Sequence, residues 1–208
     1  MKLLIATRSA GKQREVRRLL ADSGLDLLFP DDAGVTETST EQLLELGDSF
    51  AANARAKAEY FARQTGLPTV ADDSGLEVLS LGGEPGVRSK RWAGVEGAEA
   101  DVDAANNAML LHRLHGAPER KRRARYRCVL VLYRTPRGFP ETFEGNCNGS
   151  ILTEPRGTGG FGYDPLFLSD ELGKTFGEAT PEEKDAVSHR GRAFAALRTA
   201  LIHPGDPS

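Results

Sequence analysis

The sequence predicts an α/β protein, in which strands and helices alternate along the chain. At the start, the apolar run from Lys2 to Ala6 leads into a polar, glycine-containing turn. A helical pattern follows, with apolar residues such as Val16 and Leu20. An amphipathic helix is expected from near Asp48 to just before Gly66, and the strongly apolar run from Arg125 to Arg134 predicts a strand in the centre of a sheet.

The remaining elements follow from shorter apolar segments and from turn residues. Strands are expected over 25–29, 68–71, 77–81 and 139–147, and a helix over 101–114. Thr180, with Pro181 and Glu183 after it, forms a capping-box start for a further helix. The last helix follows Ser188, and we expect one domain over 1–203 with a short tail over 204–208.

Composition narrows the class of protein. The chain has 208 residues, of which 39% are hydrophobic and 27% are charged, as in an ordinary globular protein. Its formal net charge of −3 gives no reason to expect nucleic-acid binding as the main function. No apolar run reaches the roughly 18 residues of a membrane helix. The two cysteines, Cys128 and Cys147, have no metal-type spacing, so we expect reduced thiols in a cytoplasmic protein.

The turn after the first strand is a candidate phosphate site. Backbone N–H groups at the start of a helix favour anions, and Thr7, Ser9 and Lys12 add two hydroxyls and a positive charge. The P-loop pattern GxxxxGK[ST] is absent. An ordinary strand-to-helix turn with a solvated lysine explains the same residues. The whole candidate segment is Thr7, Arg8, Ser9, Ala10, Gly11 and Lys12.

Two adjacent carboxylates, Asp72 and Asp73, form a candidate metal site. They are followed by Ser74 and Gly75, and we expect them at the end of the strand that begins at Pro68. Carboxylate oxygens suit Mg²⁺, and a carboxylate near the metal could take a proton from water. A solvated turn is the alternative, since Asp, Ser and Gly are turn formers. Glu45, in an acidic stretch, is a candidate further ligand.

A glycine-rich segment contains the third candidate site. Its residues are GFGYDPLF over 160–167, so Phe161 and Tyr163 stand among glycines. An aromatic ring on such a loop can stack on a nucleobase. Alternatively, the rings belong to the core and the glycines serve a turn.

Two further groups of basic residues have competing interpretations. His189 and Arg190 could donate hydrogen bonds to a keto oxygen or a phosphate, with Lys184 nearby, or could simply cap a helix. The run from Lys121 to Arg127 could bind nucleic acid. A solvated turn leading into a strand is the preferred interpretation, because the net charge of the chain is negative and residues 119–124 contain no interleaved aromatic residue.

In combination, these segments resemble the inosine triphosphate pyrophosphatase family, which hydrolyses non-canonical purine nucleoside triphosphates. The resemblance extends from Leu3 to about Leu201. In chain order it comprises T-x-S-x-x-K-x-x-E, F-x-x-N-A-x-x-K-A, A-D-D-S-G-L, G-G-x-P-G-V-x-S-x-R, G-T-G-G-F-G-Y-D-P-L-F and S-H-R-G. The third and fifth patterns are specific together, whereas the first alone is not.

The resemblance implies a role for each matching residue. Thr7 to Lys12 hold the triphosphate, and Asp73 is the proton acceptor as well as a Mg²⁺ ligand. Glu45 is the second metal ligand, although Leu46 follows it where the family usually has threonine. Lys12 also takes part in catalysis. The residues implied to contact the substrate further along the chain are Ser74, Phe161, Gly162, Tyr163, Asp164, Lys184, His189 and Arg190.

The resemblance also implies an architecture and a partner. We expect a long mixed sheet flanked by helices, two lobes with a nucleotide-binding cleft between them, and a homodimer. Ser9 stands where the family usually has asparagine, which leaves a non-catalytic nucleotide sensor as an alternative function. A related pyrophosphatase for pyrimidine or modified nucleotides is another, and a nucleic-acid-binding module is the most distant.

Overall fold

The computed structural model describes residues 1–202, so the predicted tail and the last position of the predicted domain lie outside the described residues. The strands are β1 Lys2–Ile5, β2 Asp26–Leu28, β3 Thr69–Val78, β4 Arg123–Tyr133, β5 Glu141–Ile151 and β6 Phe167–Ser169. The α-helices are α1 Ala10–Leu19, α2 Ser39–Leu43, α3 Phe50–Thr65, α4 Glu99–Arg113, α5 Pro181–Val187 and α6 His189–Ile202.

The six strands form one sheet in the order β2-β1-β3-β4-β5-β6. β1 runs parallel to both β2 and β3, whereas β5 and β6 are antiparallel, so the sheet is mixed. This confirms the predicted α/β class with a mixed sheet. β4 occupies an interior position, as its apolar sequence predicts, because a strand covered on both faces is apolar at nearly every position.

The chain forms two compact units. The first unit comprises Met1–Asp73, Cys128–Gly145 and the chain from Gly191, and the second comprises Ser74–Arg127 and Asn146–Arg190. In the first unit, Leu3, Leu130 and Phe194 belong to one buried apolar cluster. Apolar residues of α3, including Ala54 and Phe61, belong to another. Packing in these two clusters fixes the strands and helices that carry the polar side chains of the first unit.

The second unit has its own core. Leu76, Leu110, Phe167 and Phe176 are almost fully buried there, and Tyr126 packs among them. The rings of Tyr126 and Phe167 meet edge to face, with centroids 4.7 Å apart. Aromatic pairs of this kind add to the free energy of burying apolar surface. The core therefore holds the segments on either side of the glycine-rich turn.

The expectation that the strand ends at Asp72–Gly75 is wrong, and so is the alternative of a solvated turn, because these residues lie inside the continuous strand β3. Gly75 is needed there for close packing. A Cβ atom on it would lie 2.3 Å from Ser89 Oγ and 2.5 Å from the Gly86 carbonyl oxygen. The expected second strand over 77–81 is also wrong, since β3 ends at Val78 and Leu79–Leu81 forms a 3₁₀ turn.

Other local predictions are confirmed. α3 begins after Ser49, whose side chain accepts a hydrogen bond from Ala52 N–H, and it ends at the left-handed Gly66. The capping box at Thr180 and Glu183 is present at the start of α5. Within residues 1–202, no helix has the length and apolar character needed to cross a membrane.

Candidate active site

The turn after β1 is ordered by its own side chains. Ser9 is the N-cap of α1, and its hydroxyl accepts a hydrogen bond from the Lys12 N–H at 3.5 Å. The Thr7 hydroxyl accepts one from the Ser9 N–H at 3.3 Å. The sequence from Thr7 to Lys12 therefore forms a helix start with fixed geometry, which is the arrangement that favours an anion.

Arg8 contacts the segment that precedes and includes α2. Its Nε and Nη2 atoms donate to the two Glu41 carboxylate oxygens at 2.7 Å and 2.8 Å. It also donates to the Val35 carbonyl oxygen at 3.0 Å and pairs with Asp31. The hydrogen bond to Glu41 raises the pKa of Arg8 against the opposing effect of burial. Arg8 thus ties this segment to the turn.

Lys12 pairs with the first carboxylate of β3. Its Nζ atom lies 2.9 Å from Asp72 Oδ2, and the Asp72 side chain is 3% exposed. Burying a carboxylate is costly unless a charge of opposite sign compensates for it. The pair therefore joins the predicted phosphate turn to the predicted acidic site.

Asp73 is held by two side chains of α3. Asn53 Nδ2 donates to Asp73 Oδ2 at 2.9 Å, and Lys57 Nζ lies 3.6 Å from Asp73 Oδ1. The same ammonium group donates to Glu45 Oε1 at 2.8 Å. Asn53 and Lys57 are four residues apart, so they lie on one face of the helix. One lysine therefore connects the two carboxylates predicted to bind metal.

Burial and charge act in opposite directions on this cluster. Loss of hydration raises the pKa of Asp73, while Lys57, Lys12 and the Asn53 hydrogen bond oppose that rise. Burial would lower the pKa of Lys57, but Glu45, Asp73 and Asp72 together outweigh it and raise the pKa. The lysine therefore stays charged, and Asp73 is a carboxylate of increased basicity. Such a group suits proton transfer better than an exposed aspartate does.

The donor chemistry at Glu45 and Asp73 fits a magnesium ion. Mg²⁺ is commonly bound through one or two carboxylates together with phosphate oxygens and water. No group of three or more His, Cys, Asp or Glu side chains within residues 1–202 is arranged to hold a metal ion without such help. A metal ion held by these two carboxylates would therefore need phosphate oxygens or water to complete its coordination.

The two aromatic rings of the glycine-rich segment differ in their surroundings. Tyr163 is 3% exposed and its hydroxyl donates to the Ser89 carbonyl oxygen at 2.8 Å, so it belongs to the core. Phe161 is only partly buried. Lys184 Nζ lies 5.0 Å from the centroid of the Phe161 ring, and Arg190 Cζ lies 5.7 Å from it. Phe161 is therefore the ring that can stack on a ligand.

Asp164 organises the turn around Phe161. Its Oδ2 atom accepts hydrogen bonds from the Phe161 N–H at 2.9 Å and from Lys184 Nζ at 2.5 Å. The Asp164 side chain is 3% exposed. A Cβ atom on Gly160 would lie 2.0 Å from this carboxylate, and Gly160 has a φ of 73°. The geometry gives Asp164 a role in holding the loop.

The start of α6 contributes two buried polar side chains. Arg190 Nη2 donates to Ser74 Oγ at 2.7 Å. The His189 ring stacks on Tyr126, with centroids 4.6 Å apart and an interplanar angle of 7°. Ser74, Phe161 and Arg190, which the sequence predicted to bind substrate, are therefore brought into one neighbourhood by the fold of the second unit.

The sequence analysis gave no role to several residues that contact the predicted site. Asn53 and Lys57 are polar and lie on the buried face of α3, which is the signal that could have identified them. Tyr126 is one more residue in an apolar strand pattern, and nothing in the pattern marks its contact with His189. Asp103, on α4, accepts a hydrogen bond from the Gly162 N–H at 2.6 Å, and no motif includes it.

The basic run before β4 has partners within the second unit. The buried Arg122 donates to the carbonyl oxygens of Leu114, Ile151 and Leu152. Arg123 pairs with Asp170 at 2.6 Å and Arg125 with Glu77 at 2.5 Å. These contacts account for the three arginines without an external polyanion.

A family model described as the Ham1 family matches residues 3–200. The chain belongs to the Ham1 family. It is 48% identical over 202 residues to a dITP/XTP pyrophosphatase of Frankia alni, covering 97% of each chain. It is 46% identical over 201 residues to a Shigella flexneri protein of the same name, covering 96% of this chain and 98% of the relative.

Solved structures show the same Ham1 fold. A HAM1 protein from Coxiella burnetii matches with a TM-score of 0.84 and 36% identity, over 97% of this chain and 98% of the other. A nucleoside-triphosphatase, or dITP/XTP pyrophosphatase, from Mycobacterium abscessus matches with a TM-score of 0.73 and 45% identity, over 95% and 98%. The resemblance found in the sequence motifs is therefore confirmed at the level of the family.

Proposed function

We propose that this protein is a nucleoside triphosphate pyrophosphatase that hydrolyses non-canonical purine nucleotides, namely inosine, deoxyinosine and xanthosine triphosphates, to the monophosphate and pyrophosphate. The observation that carries the proposal is the cluster at Asp73, a buried carboxylate held by Asn53 and Lys57 in a Ham1 family chain. Relatives named dITP/XTP pyrophosphatase support the substrate class. By this reaction the enzyme clears the nucleotide pool of deaminated purines.

The proposed reaction is attack of water on the α-phosphorus. Asp73 accepts the proton of the attacking water, a new P–O bond forms, and the bond to the β-phosphate oxygen breaks to release pyrophosphate. Its raised pKa gives Asp73 the basicity for this step. Lys12 and the N-terminal turn of α1 bind the triphosphate and stabilise the charge that develops on it.

Glu45 and Asp73 are the proposed ligands of Mg²⁺, which when bound neutralises charge on the phosphate oxygens. Lys57 contributes a further positive charge beside the same carboxylates, which favours their ionised forms. Ser9 replaces the asparagine usual in the family but acts as a helix N-cap, a position where serine and asparagine are both favoured. This supports a catalytic protein over the sensor.

The base is the proposed ligand of the second unit. Phe161 stacks on the purine, and Arg190 and His189 donate to its 6-keto oxygen. Adenine has a donor at that position, and a buried donor left unpaired costs roughly 1–3 kcal/mol. Lys184 and Arg190, close to the Phe161 ring, add positive charge beside an electron-rich base edge.

Two further expectations accompany the proposal. We propose a homodimer in the cytoplasm. The burial of Cys128 and Cys147 without a disulfide is compatible with a reducing compartment.

A turnover panel tests the proposed function. Inosine, deoxyinosine, xanthosine, guanosine, adenosine, deoxythymidine and uridine triphosphates are each supplied with Mg²⁺, and both products are identified. We expect monophosphate and pyrophosphate, with the inosine and xanthosine forms fastest. Preference for a pyrimidine would support the related pyrophosphatase. Release of single phosphate would refute attack at the α-phosphorus, and binding of inosine triphosphate without turnover would support the sensor.

A further inference from the structure

The glycine-rich turn is held from outside by two side chains of α4. Asp103 Oδ2 accepts a hydrogen bond from the Gly162 N–H at 2.6 Å. Asn107 Nδ2 donates to the Gly162 carbonyl oxygen at 2.8 Å. Asp103 and Asn107 are four residues apart and therefore share one face of the helix. Together they bind both peptide groups of a single glycine.

These two peptide groups join Gly162 to the neighbouring aromatic residues, Phe161 and Tyr163. The Gly162 N–H belongs to the peptide that links it to Phe161, and the Gly162 carbonyl belongs to the peptide that links it to Tyr163. Gly162 has a φ of 64°, a left-handed conformation that glycine adopts without strain. A glycine at this position is also free to leave that conformation. The contacts from α4 remove the freedom that the glycine would otherwise give the loop.

The three residues of the turn have separate anchors. Tyr163 is fixed in the core through its hydroxyl, and the Phe161 N–H is bound by Asp164. Gly162 makes its two hydrogen bonds to Asp103 and Asn107. The Phe161 side chain, only partly buried, is held less by core packing than Tyr163 is, so its direction depends on the backbone.

Both α4 side chains make their contacts with Gly162 in surroundings that are energetically unfavourable for them. Asn107 Nδ2 also donates to the Asp103 carbonyl oxygen at 2.8 Å, but Asn107 Oδ1 is buried with no hydrogen-bond partner among residues 1–202. An unpaired buried acceptor is unusual and unfavourable. Burial raises the pKa of Asp103, and the charges of Glu99 and Asp164 add to that effect. The Gly162 hydrogen bond and Lys90 oppose it.

We propose that Asp103 and Asn107 are positioning residues for base recognition, which hold Gly162 so that the Phe161 ring is presented to the purine. The inference rests on the proposed function, since it assigns these residues to the same base-binding site. In this proposal, neither Asp103 nor Asn107 contacts the phosphate that reacts. Their loss therefore weakens base binding and leaves the hydrolytic step intact.

Four variants and one control test the assignment. Asp103→Ala and Asn107→Ala each remove one hydrogen bond to Gly162. Asp103→Asn keeps an acceptor oxygen for the Gly162 N–H, whereas Asn107→Asp places an acceptor against the Gly162 carbonyl. The control is Asp101→Ala, an exposed carboxylate on the same helix.

We expect Asp103→Ala and Asn107→Ala to raise KM for inosine triphosphate about 5- to 15-fold, with kcat changed less than about twofold, since a uniform binding interaction is lost. Asn107→Asp should raise KM further, and Asp103→Asn should recover most of the loss. The inhibition constant of inorganic triphosphate, which has no base, should stay unchanged in all four variants. Asp101→Ala should match the wild type.

Three results would overturn the proposal. The first is an unchanged KM in Asp103→Ala and Asn107→Ala. The second is a loss of affinity for inorganic triphosphate equal to the loss for inosine triphosphate. The third is a rise in KM in Asp103→Asn as large as the rise in Asp103→Ala. Thermal unfolding midpoints show whether each variant is folded. If Asp103→Ala is unfolded, Asp103→Asn is used in its place. If the wild type hydrolyses no triphosphate, the proposed function fails. The inference is then tested by calorimetric binding of inosine monophosphate, and no binding, or equal binding by wild type and Asp103→Ala, overturns it.

Discussion

The two units use their positive charges in different ways. In the first unit, each lysine of the candidate site faces carboxylates, as Lys12 does with Asp72 and Lys57 does with Glu45 and Asp73. In the second unit, Lys184 and Arg190 lie beside an aromatic ring, and Lys184 also pairs with Asp164. Lys57, Lys184 and Arg190 are buried and Lys12 is partly buried, but the surroundings of these groups differ between the two units.

The difference indicates which part of a nucleotide each group suits. A cluster of alternating charges tunes the basicity of its carboxylates and responds to charge that develops during a reaction. A ring flanked by cations offers a flat surface with polar donors, which fits a purine whose charge does not change. We therefore expect substitutions in the first cluster to lower kcat and substitutions in the second to raise KM.

The largest effect is expected from Asp73→Asn. The amide cannot accept the proton of the attacking water, and loss of a general base typically lowers the rate about 10²- to 10⁴-fold. Asn53 can still donate to the remaining side-chain oxygen, so the fold should persist. Single-turnover rates and calorimetric binding of inosine triphosphate measure the two properties separately. Asp26→Asn, an exposed carboxylate of β2, is the control. Near-normal turnover in Asp73→Asn would remove this residue from the mechanism.

A smaller loss of kcat is expected from Lys57→Met, about 10- to 100-fold. The substitution removes the ammonium that Glu45 and Asp73 share, and this positive charge favours the ionised form that a proton acceptor and a metal ligand require. Lys57→Arg keeps the charge and should retain more activity. The kcat of each variant, measured at several Mg²⁺ concentrations, tests this expectation. If Lys57→Met changed only KM, the contrast between the two units would not hold.

In the second unit, Phe161→Leu should raise KM for inosine triphosphate about 5- to 150-fold with little change in kcat, because stacking on a base contributes roughly 1–3 kcal/mol. Phe161→Tyr keeps the ring and should remain close to wild type. Phe139→Leu, at a position that is 96% exposed, is the matched control. Steady-state kinetics with inosine and adenosine triphosphates provide the measurement. A large fall in kcat for Phe161→Leu would show that the ring does more than bind.

The smallest effect is expected from Arg8→Lys. Lysine keeps the charge but cannot reproduce the two-point contact with Glu41, so the thermal midpoint should fall by a few degrees, as expected for a loss of about 1 kcal/mol. The inhibition constant of inorganic triphosphate should change little, in contrast to Lys12→Ala. An equal loss of affinity in both variants would instead place Arg8 on the phosphate.

The sequence predicted those features that depend on neighbouring residues. The helix over Phe50–Thr65 follows from apolar spacing with Ser49 and Gly66 at its ends. The capping box at Thr180 is likewise local. In these cases the same few residues both form the element and specify its limits. The combination of motifs identified the family for the same reason, since each motif is a short local pattern.

Where distant segments meet, the sequence alone was insufficient. Asp72–Gly75 has the composition of a turn, yet it continues β3 because Gly75 allows the backbone near Ser89 to approach closely. Phe161 and Tyr163 have equal status in the sequence, and only the hydroxyl contact of Tyr163 with Ser89 assigns it to the core.

The sequence by itself therefore determined the fold class, the limits of α3, the start of α5 and the family of this protein, because periodicity and capping act over a few residues. The tertiary structure decided which side chains meet at the candidate site. Lys57 joins Glu45 to Asp73, and Asp103 holds Gly162, across separations of 12 to 59 residues along the chain. Such contacts depend on how packed elements place distant residues together, and no local pattern encodes them.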